Sequence, residues 1–281
     1  MKTRLFLVHA LSPLHAGTGH ATGVIDLPTA RMKATGIPFV PGSSIKGVLR
    51  DARLSAGADR ERVLAVFGPE QDAAGEHAGA LVVGDARLLA LPVRSFRGTF
   101  AWVTSPLLLV LARRDLGSNA LPVPRIDGHG ARAVPGCVCV HDRHIYLEDL
   151  DLVAQESPDV DSWAQLLAPL VSPGEDIFSN RFVVVDDETM AFLWDTGTQV
   201  DARVRLSYET RTVARGALWL EESLPPETLL VGLMAADRSR RPGTEMDPDA
   251  VLKFALPEEE VIQLGGKATT GRGRCRLIPV P

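Results

Sequence analysis

Cysteine is scarce in this sequence, and long hydrophobic runs are missing. The 281 residues include three cysteines, which are too few for a disulfide framework. Cys137 and Cys139 are separated by a single residue, a poor spacing for zinc, and Cys275 stands apart. Apolar runs such as residues 106–112 are too short to span a membrane, and the N-terminus lacks the small-residue cleavage site of a signal peptide. We therefore expect reduced thiols, no membrane partner and a cytoplasmic protein.

Acidic residues are absent from two stretches of a chain that is acidic as a whole. The formal net charge is −5, which argues against a protein that coats nucleic acid by bulk charge. Residues 27–50 and 265–276 nevertheless carry only basic charges, and residues 201–216 carry four arginines against two acids. Residues 148–161 carry acids and no base. This segregation predicts one basic surface and a phosphate-rich partner, although each stretch alone is also typical of a solvated face.

Strand and helix patterns are mixed along the chain. The apolar run over residues 5–8 predicts a buried first strand, and residues 12–23 read as a loop. A helix is predicted to begin at Gly42, because Ile45 and Leu49 follow at helical spacing. Residues 201–219 predict an exposed hairpin with a basic tip. The simplest architecture is one α+β domain over residues 1–281 with long insertions.

The sharpest local feature is a glycine-rich segment, residues 265–273. Glycines let the backbone turn tightly and present N–H groups to an anion, while bases and hydroxyls add further phosphate ligands. The candidate ligands here are Gly266, Lys267, Thr269, Thr270, Gly271, Arg272 and Arg274. The segment has neither a Walker spacing nor a βαβ unit after it, so it is not a nucleotide loop of either common type. A plain glycine-rich connector is the alternative.

A second candidate phosphate site lies at the start of the predicted helix. Ser43 and Ser44 occupy its N-terminus, and Lys46 and Arg50 follow four residues apart on one face. A helix N-terminus with nearby bases attracts phosphate. The alternative is an ordinary helix start with solvated bases.

Asp26 and His15 are the candidate catalytic residues. Asp26 is a lone acid between apolar neighbours, beside a glycine-containing loop that holds His15. A carboxylate near phosphates acts as a base or holds a divalent cation, and a histidine there donates a proton or contacts phosphate. A turn carboxylate and a structural histidine are the alternatives.

These segments occur together and in order. Those that carry the likeness are residues 14–19, 25–28 (Ile-Asp-Leu-Pro), 36–47 (with Pro-Gly-Ser-Ser-Ile-Lys-Gly), 94–102 (Arg-Ser-Phe-Arg-Gly-Thr-Phe-Ala-Trp), 216–219 and 265–273. The chain thereby resembles the RAMP superfamily of CRISPR RNA-binding proteins. Within it, the chain resembles the repeated backbone subunit of type III-B (Cmr) effector complexes, over nearly its whole length.

The resemblance implies a ferredoxin-like, RRM-like core with insertions, among them a β-hairpin thumb at residues 201–219. Copies of such a subunit form a helical filament along a crRNA guide, together with other Cmr-type subunits. The family's backbone subunit cleaves complementary single-stranded target RNA with a divalent metal ion, so Mg²⁺ or Mn²⁺ is the implied cofactor. The family's essential acid maps onto Asp26, which would also be the metal ligand.

The chemistry can be argued from the residues as well. A kinked RNA places a 2′-hydroxyl in line with its own phosphate, so that positioning supplies much of the rate. Asp26 would then accept the 2′-hydroxyl proton, and His15 or a base would stabilise the charged phosphate. Two other functions remain open, namely a purely structural filament subunit without nuclease activity and an anion-binding protein that holds a nucleotide.

Overall fold

The computed structural model describes residues 1–17, 25–70, 75, 77–117 and 120–280. Part of the predicted loop over residues 12–23 therefore lies outside the described residues. The strands are β1 (Lys2–Ala10), β2 (Phe39–Val40), β3 (Leu81–Val83), β4 (Ala86–Arg94), β5 (Phe100–Thr104), β6 (Gly130–Ala133), β7 (Val140–His141), β8 (His144–Leu147), β9 (Leu150–Glu156), β10 (Phe182–Val185), β11 (Gln199–Leu206), β12 (Val213–Ser223), β13 (Leu229–Ala236), β14 (Glu260–Gln263) and β15 (Arg274–Pro279). The helices are α1 (Gly42–Ser55), α2 (Arg60–Phe67), α3 (Pro106–Leu116), α4 (Pro158–Val171), α5 (Asp187–Thr196) and α6 (Pro248–Ala255).

Thirteen strands of the described chain form one mixed sheet. Its order is β14-β15-β1-β13-β4-β5-β10-β6-β9-β8-β7, with β2 added to β4 and β3 added to β13. The first strand is internal, because it pairs antiparallel with β13 on one side and with β15 on the other. The first and last strands are therefore neighbours, second and third from the β14 edge of the sheet.

The two faces of the sheet carry separate cores. Along β1, Phe6 and Val8 face one core while Leu5 and Leu7 face the other, as the two-residue period of a strand requires. Helices α1, α2 and α6 cover the first face, and α3, α4 and α5 cover the second. Both faces are thus buried, which explains the continuous apolar run that predicts this strand.

The helices begin where the sequence signals place them. The predicted helix start at Gly42 is confirmed, with Ile45 and Leu49 buried in the first core. Asp186 accepts the Thr189 N–H at 2.9 Å and so caps α5. The prediction of a mixed α+β fold is confirmed, and no helix in the described ranges is long and apolar enough to cross a membrane.

Strands β11 and β12 form a two-stranded hairpin outside the main sheet. The hairpin covers residues 199–223, a few residues more at each end than the predicted 201–219. Its tip is highly exposed, with Tyr208 at 98% exposure and Leu206 at 59%. The base of β12, by contrast, is buried from Glu221 to Leu224. An exposed tip, which carries Leu206 and Tyr208 among polar and charged residues, projects from a root that is buried in the protein.

Candidate functional site

One edge of β12 places Asp26 and His15 beside each other. The Leu220 N–H donates to Asp26 Oδ2 at 2.8 Å, and the Glu222 carbonyl accepts from His15 Nδ1 at 2.7 Å. Between them, Leu27 pairs with the backbone of both strand residues. Residues 220 and 222 face the same edge of the strand and are about 7 Å apart. The two predicted catalytic residues are therefore neighbours through a strand that lies about 200 residues further along the sequence.

Asp26 and His15 differ in their exposure to solvent. The side chain of Asp26 is exposed, and one of its oxygens is oriented by the strand, whereas His15 is 7% exposed. Since the partner of His15 Nδ1 is a carbonyl, that nitrogen carries the proton, and Nε2 lies so close to Gly17 that an added Cβ there would be 2.6 Å away. Asp26 is thus available to a ligand directly, whereas His15 is a buried imidazole held by a backbone carbonyl.

The glycine-rich segment packs against the His15 backbone. The Gly266 N–H donates to the His15 carbonyl at 3.1 Å, and the Gly273 N–H donates to the Pro13 carbonyl at 2.9 Å. Leu264 closes the segment through its N–H bond to the Gly273 carbonyl at 2.8 Å. The two loops therefore form one unit beneath the catalytic candidates.

The outer part of this segment is open to solvent. Residues 265–271 are exposed, and residues Ala268–Thr270 form a short 3₁₀ turn. The Thr270 hydroxyl donates to the Lys267 carbonyl at 2.8 Å, while the Thr269 side chain is exposed. Arg274 is exposed as well, and its N–H donates to the Ser12 hydroxyl. The segment presents the side chains of Lys267, Thr269 and Arg274 outward. The N–H groups of Gly266 and Gly271 are already donated, to the His15 and Ala268 carbonyls.

Arg272 is a correction to the sequence interpretation. Its side chain is 4% exposed, and its guanidinium bonds the Ser223 hydroxyl at 2.6 Å and the Asp201 carboxylate. The hydrogen bond from Arg272 lowers the pKa of Asp201 below its usual range. A guanidinium held in this way faces the protein and not a ligand. Arg272 therefore ties the glycine-rich segment to the root of the hairpin.

Glu221 is a buried carboxylate at the same root. It accepts from Trp219 Nε1 at 2.8 Å and pairs with Lys267 Nζ at 3.1 Å, and Arg203 Nε lies 3.4 Å away. Burial pushes the pKa of Glu221 up, but the bonds from Trp219 and Lys267 outweigh it and hold the pKa below its ordinary value. Part of the charge of Lys267 is consequently neutralised inside the protein.

Glu222, the next residue, is a second buried carboxylate with a basic partner, on the other side of β12. Its carboxylate accepts from Arg31 at 2.7 Å and from the Thr29 N–H at 2.8 Å. Arg31 also donates to the Trp194 carbonyl, which ties the segment after Asp26 to α5. The two adjacent acids were not singled out by the sequence interpretation. The sequence does show two adjacent acids at the end of an otherwise apolar strand. A buried acid needs a basic partner, so this pair could have indicated a salt-bridge network.

The start of α1 forms the second predicted phosphate site. Ser43 and Ser44 are exposed there, and the Asp85 carboxylate accepts the N–H of Gly42, the first residue of α1, at 2.8 Å. Lys46 is half-buried, its Nζ donates to the Leu81 carbonyl at 2.9 Å, and burial lowers its pKa. Arg50 is half-buried and donates to the Pro69 carbonyl at 3.4 Å. The two serine hydroxyls are therefore more accessible than the two bases that follow, while the first N–H of the helix already has a carboxylate partner.

The two predicted phosphate sites share one face of the sheet. Ile45 of α1 and Leu264 beside the glycine-rich segment belong to the same buried cluster, which also contains Ala16 of the His15 loop. We call residues 43–50 and 265–274 the basic cradle. Both segments pack on the same core, and their joining into one RNA cradle stays a prediction.

The metal prediction finds little support in the side chains. Within the described ranges, no three His, Cys, Asp or Glu side chains group as a metal site. Asp26 supplies one exposed carboxylate, and the described residues around it do not by themselves complete a ligand set for Mg²⁺ or Mn²⁺.

The profile of the RAMP superfamily matches residues 7–276. The chain belongs to the RAMP superfamily. Among RAMP relatives, the CRISPR system Cmr endoribonuclease Cmr4 of Pyrococcus furiosus is 32% identical over 289 residues, covering 97% of this chain and 94% of that protein. The crystal structure of oligomeric Cmr4 from Pyrococcus furiosus superposes with a TM-score of 0.76 at 27% identity, covering 100% of this chain and 98% of that one. A chain of the type III-B Cmr-beta complex bound to cognate target RNA, seen by cryo-electron microscopy, shares the RAMP fold with a TM-score of 0.79 at 20% identity, covering 100% of this chain and 98% of that one.

The buried position of Arg272 leads to a prediction about stability. Replacing Arg272 with Met is expected to lower the free energy of unfolding by about 2 kcal/mol, because Asp201 and the buried Glu221 lose a positive partner. The control is Arg274→Met, two residues away and exposed, which should change it by less than about 0.5 kcal/mol. Urea unfolding followed by circular dichroism measures both, and equal stabilities would contradict the structural role of Arg272.

Proposed function

We propose that this chain is the crRNA-binding backbone subunit of a type III-B CRISPR effector complex and that it cuts complementary single-stranded target RNA. The observation that carries the proposal is Asp26, an exposed carboxylate oriented by the Leu220 N–H and placed next to a glycine-rich basic segment. The 32% identity to a Cmr endoribonuclease over nearly the full length supports the same assignment.

The guide lies in the basic cradle, held by its phosphates. The hydroxyls of Ser43, Ser44 and Thr269 and the guanidinium of Arg274 contact phosphate oxygens without reading bases. Lys46, Arg50 and Lys267 contribute charge at a distance, because each already has a protein partner. Guide binding is therefore tolerant of sequence and sensitive to salt.

The cut is made by the RNA's own 2′-hydroxyl. Asp26 removes the proton from this hydroxyl as its oxygen attacks the adjacent phosphorus. The bond from phosphorus to the 5′-oxygen breaks, and that oxygen takes up a proton from water. The products are a 2′,3′-cyclic phosphate and a 5′-hydroxyl. A divalent cation, Mg²⁺ or Mn²⁺, would stabilise charge on the phosphate, and chelation is the test of that part.

The hairpin of β11 and β12 serves as the thumb. Its exposed tip, with Leu206 and Tyr208, is suited to enter a guide–target duplex, and its root adjoins the anchor of Asp26 on β12. This arrangement brings the distorted RNA linkage to the carboxylate. Copies of the chain line the guide as a helical filament in the cytoplasm, together with other Cmr-type subunits. The identity to a relative crystallised as an oligomer supports self-association.

Reconstitution with a guide tests the proposed function. The chain is assembled with other Cmr-type subunits, a guide RNA and a complementary target labelled at its 5′ end. We expect cuts at regular intervals in the paired target and none in an unpaired RNA. A complex that binds the target and leaves it whole would instead identify a purely structural filament subunit.

Salt dependence tests the phosphate contacts. Replacing Arg274 with Ala is expected to weaken RNA binding severalfold and to reduce the slope of log affinity against log salt by about 0.7, the value for one phosphate contact on a single strand. Arg114→Ala is the matched control, because Arg114 is an exposed base on α3, on the opposite face of the sheet. Filter binding at several salt concentrations measures both, and an unchanged slope for Arg274→Ala rejects the contact.

A further inference from the structure

An open pocket that the proposed function does not use lies towards the β7 edge of the sheet. Its volume is about 510 Å³, and its lining consists of Phe96, Arg97, His141, Tyr146 and Glu148. None of these residues belongs to the basic cradle or to the hairpin. The lining combines aromatic rings with one guanidinium and one carboxylate, a combination typical of sites for small molecules.

The aromatic part of the lining is exposed and held in place. Phe96 is 86% exposed, and its ring meets that of Tyr146 edge to face, with centroids 6.2 Å apart. Tyr146 is also stacked with His144, which in turn pairs with Asp151 at 2.7 Å. The Phe96 N–H donates to the Tyr146 carbonyl at 3.2 Å, so the loop that carries Phe96 is fixed to β8. An exposed ring on a fixed backbone is suited to stack with a nucleobase.

The two fully charged side chains of the lining have no partner. Within the part of the chain that the structure describes, neither the Arg97 guanidinium nor the Glu148 carboxylate forms a hydrogen bond or an ion pair. His141, by contrast, lies 3.3 Å from the Asp142 carboxylate. An unpaired guanidinium suits a phosphate, and an unpaired carboxylate suits a group with N–H donors. The pocket therefore offers one cationic and one anionic contact to a single ligand.

Glu148 occupies a backbone position for which its residue type is unfavourable. Leu147 pairs with Leu150, so Glu148 and Asp149 form the two-residue turn between β8 and β9. The φ of Glu148 is +50°, in the left-handed region, where such turns favour glycine or asparagine. Its N–H is fixed by the Arg94 carbonyl at 3.0 Å. A carboxylate kept at the rim of a pocket despite this backbone cost is typical of a ligand contact.

The acceptor chemistry of a carboxylate distinguishes among the nucleobases. An ionised carboxylate only accepts hydrogen bonds, and it does so through two adjacent oxygens. Guanine presents two adjacent donors on its Watson–Crick edge, N1–H and the N2 amino group. Adenine and cytosine each present one donor group beside an acceptor, and uracil presents one donor between two acceptors. Glu148 therefore matches guanine, because guanine can donate to both oxygens at once.

We propose that this pocket binds a guanine nucleotide, either free or at the unpaired end of an RNA strand. The base stacks on Phe96 and contacts Tyr146, its N1–H and N2 amino group donate to Glu148, and its phosphate pairs with Arg97. The assignment does not rest on the proposed function, since none of these residues takes part in it. It gives the chain a base-specific site apart from the basic cradle.

Calorimetric titration of the full-length chain with nucleotides tests the base contact. We expect GMP to bind about tenfold more tightly than AMP, CMP or UMP, the discrimination of one bidentate contact. Glu148→Gln should reduce this preference to less than about twofold, because the amide replaces one acceptor with a donor. Asp149→Asn, which changes the neighbouring exposed acid outside the lining, is the matched control and should keep the preference. Equal binding of the four nucleotides, no binding of GMP, or an undiminished preference in Glu148→Gln overturns the proposal.

Two further variants test the stacking and phosphate contacts. Phe96→Ala should lower the affinity for GMP about tenfold, the loss of one stacked base. Phe192→Ala, which removes an exposed ring from α5, is its control and should have no effect. Arg97→Ala should lower the affinity for GMP about tenfold and leave that for guanosine, which has no phosphate, unchanged. Unchanged GMP affinity in Phe96→Ala, or equal losses for GMP and guanosine in Arg97→Ala, overturns the proposal.

Competition with a short single-stranded RNA distinguishes the two sources of guanine. Displacement of bound GMP by an RNA that ends in its only guanine, and not by the same RNA ending in adenine, identifies the unpaired end of a strand as the ligand. Persistence of bound GMP with both RNAs identifies the free nucleotide. Equal displacement by both RNAs overturns the proposal, because the pocket would then respond to phosphate charge and not to the base. None of these measurements reads target cleavage, so failure here is distinguishable from failure of the proposed nuclease function.

Discussion

Replacing Asp26 with Asn is expected to reduce target cutting roughly 1,000-fold, the contribution typical of a general base, while guide affinity stays within about threefold. The amide oxygen of Asn still accepts the Leu220 N–H, which the carboxylate now binds at 2.8 Å, so the loop keeps its position. What the amide cannot do is take up a proton or carry negative charge. Single-turnover cleavage of labelled target by the assembled complex measures the rate, and filter binding measures guide affinity.

Two further variants separate chemistry from geometry at this position. Asp26→Ala removes the carboxylate and the bond to Leu220, so it should lose cleavage equally and some order of the loop as well. Asp51→Asn removes an exposed carboxylate from α1 and should leave cleavage unchanged. Cutting at the same positions and at an undiminished rate by the complex that carries Asp26→Asn would show that Asp26 is not the base.

The elements of this fold were predictable where their signals are local. Asp186 is followed by a helix because its side chain satisfies the Thr189 N–H, and the apolar run of β1 is continuous because both faces of the sheet are covered. Gly42 opens α1 for reasons visible in the next few residues. Such signals depend on neighbours in sequence, which the sequence displays directly.

Whether each basic residue faces solvent or pairs with an acid inside the protein was not predictable in this way. Arg272 looks like a phosphate ligand beside its glycines, yet it bonds Ser223 and Asp201, which lie 49 and 71 residues away. Arg31 likewise belongs to an acid-free stretch, yet its guanidinium forms an ion pair with Glu222. A count of charge along the chain cannot distinguish a base facing solvent from one that neutralises a buried acid, because the acid arrives from another strand. The basic surface is therefore smaller than the sequence suggests.

The candidate catalytic site also combines residues that are far apart in sequence. Asp26 and His15 were predictable as residues, but their common support on β12 was not, since it consists of backbone groups at residues 220 and 222. Any residue type can supply a backbone N–H or carbonyl, so the side chains of β12 do not indicate that it supports Asp26 and His15. This support is visible only in the three-dimensional structure.

Gly265 is the position at which a single methyl group should disturb this site most. Its φ is +71°, and an added Cβ would lie 2.2 Å from the His15 carbonyl oxygen. Ala in this left-handed conformation costs about 1–2 kcal/mol by itself, and here the glycine-rich segment must also move off His15 and break the adjacent Gly266 bond. We expect Gly265→Ala to lower the free energy of unfolding by about 3 kcal/mol, the sum of this backbone cost and one buried bond, and to weaken guide binding at least tenfold.

Gly117 provides the matched comparison for Gly265→Ala. Its φ is +63° at the end of α3, and no described atom would lie within 4 Å of an added Cβ. Gly117→Ala therefore carries the left-handed cost of about 1 kcal/mol without a collision, and guide binding should stay at the level of the wild type. Urea unfolding and filter binding on the two variants isolate the contact between the glycine-rich segment and His15. Equal losses in both variants would mean that backbone strain alone accounts for the effect, and that the close packing of the segment on His15 does not support the RNA cradle.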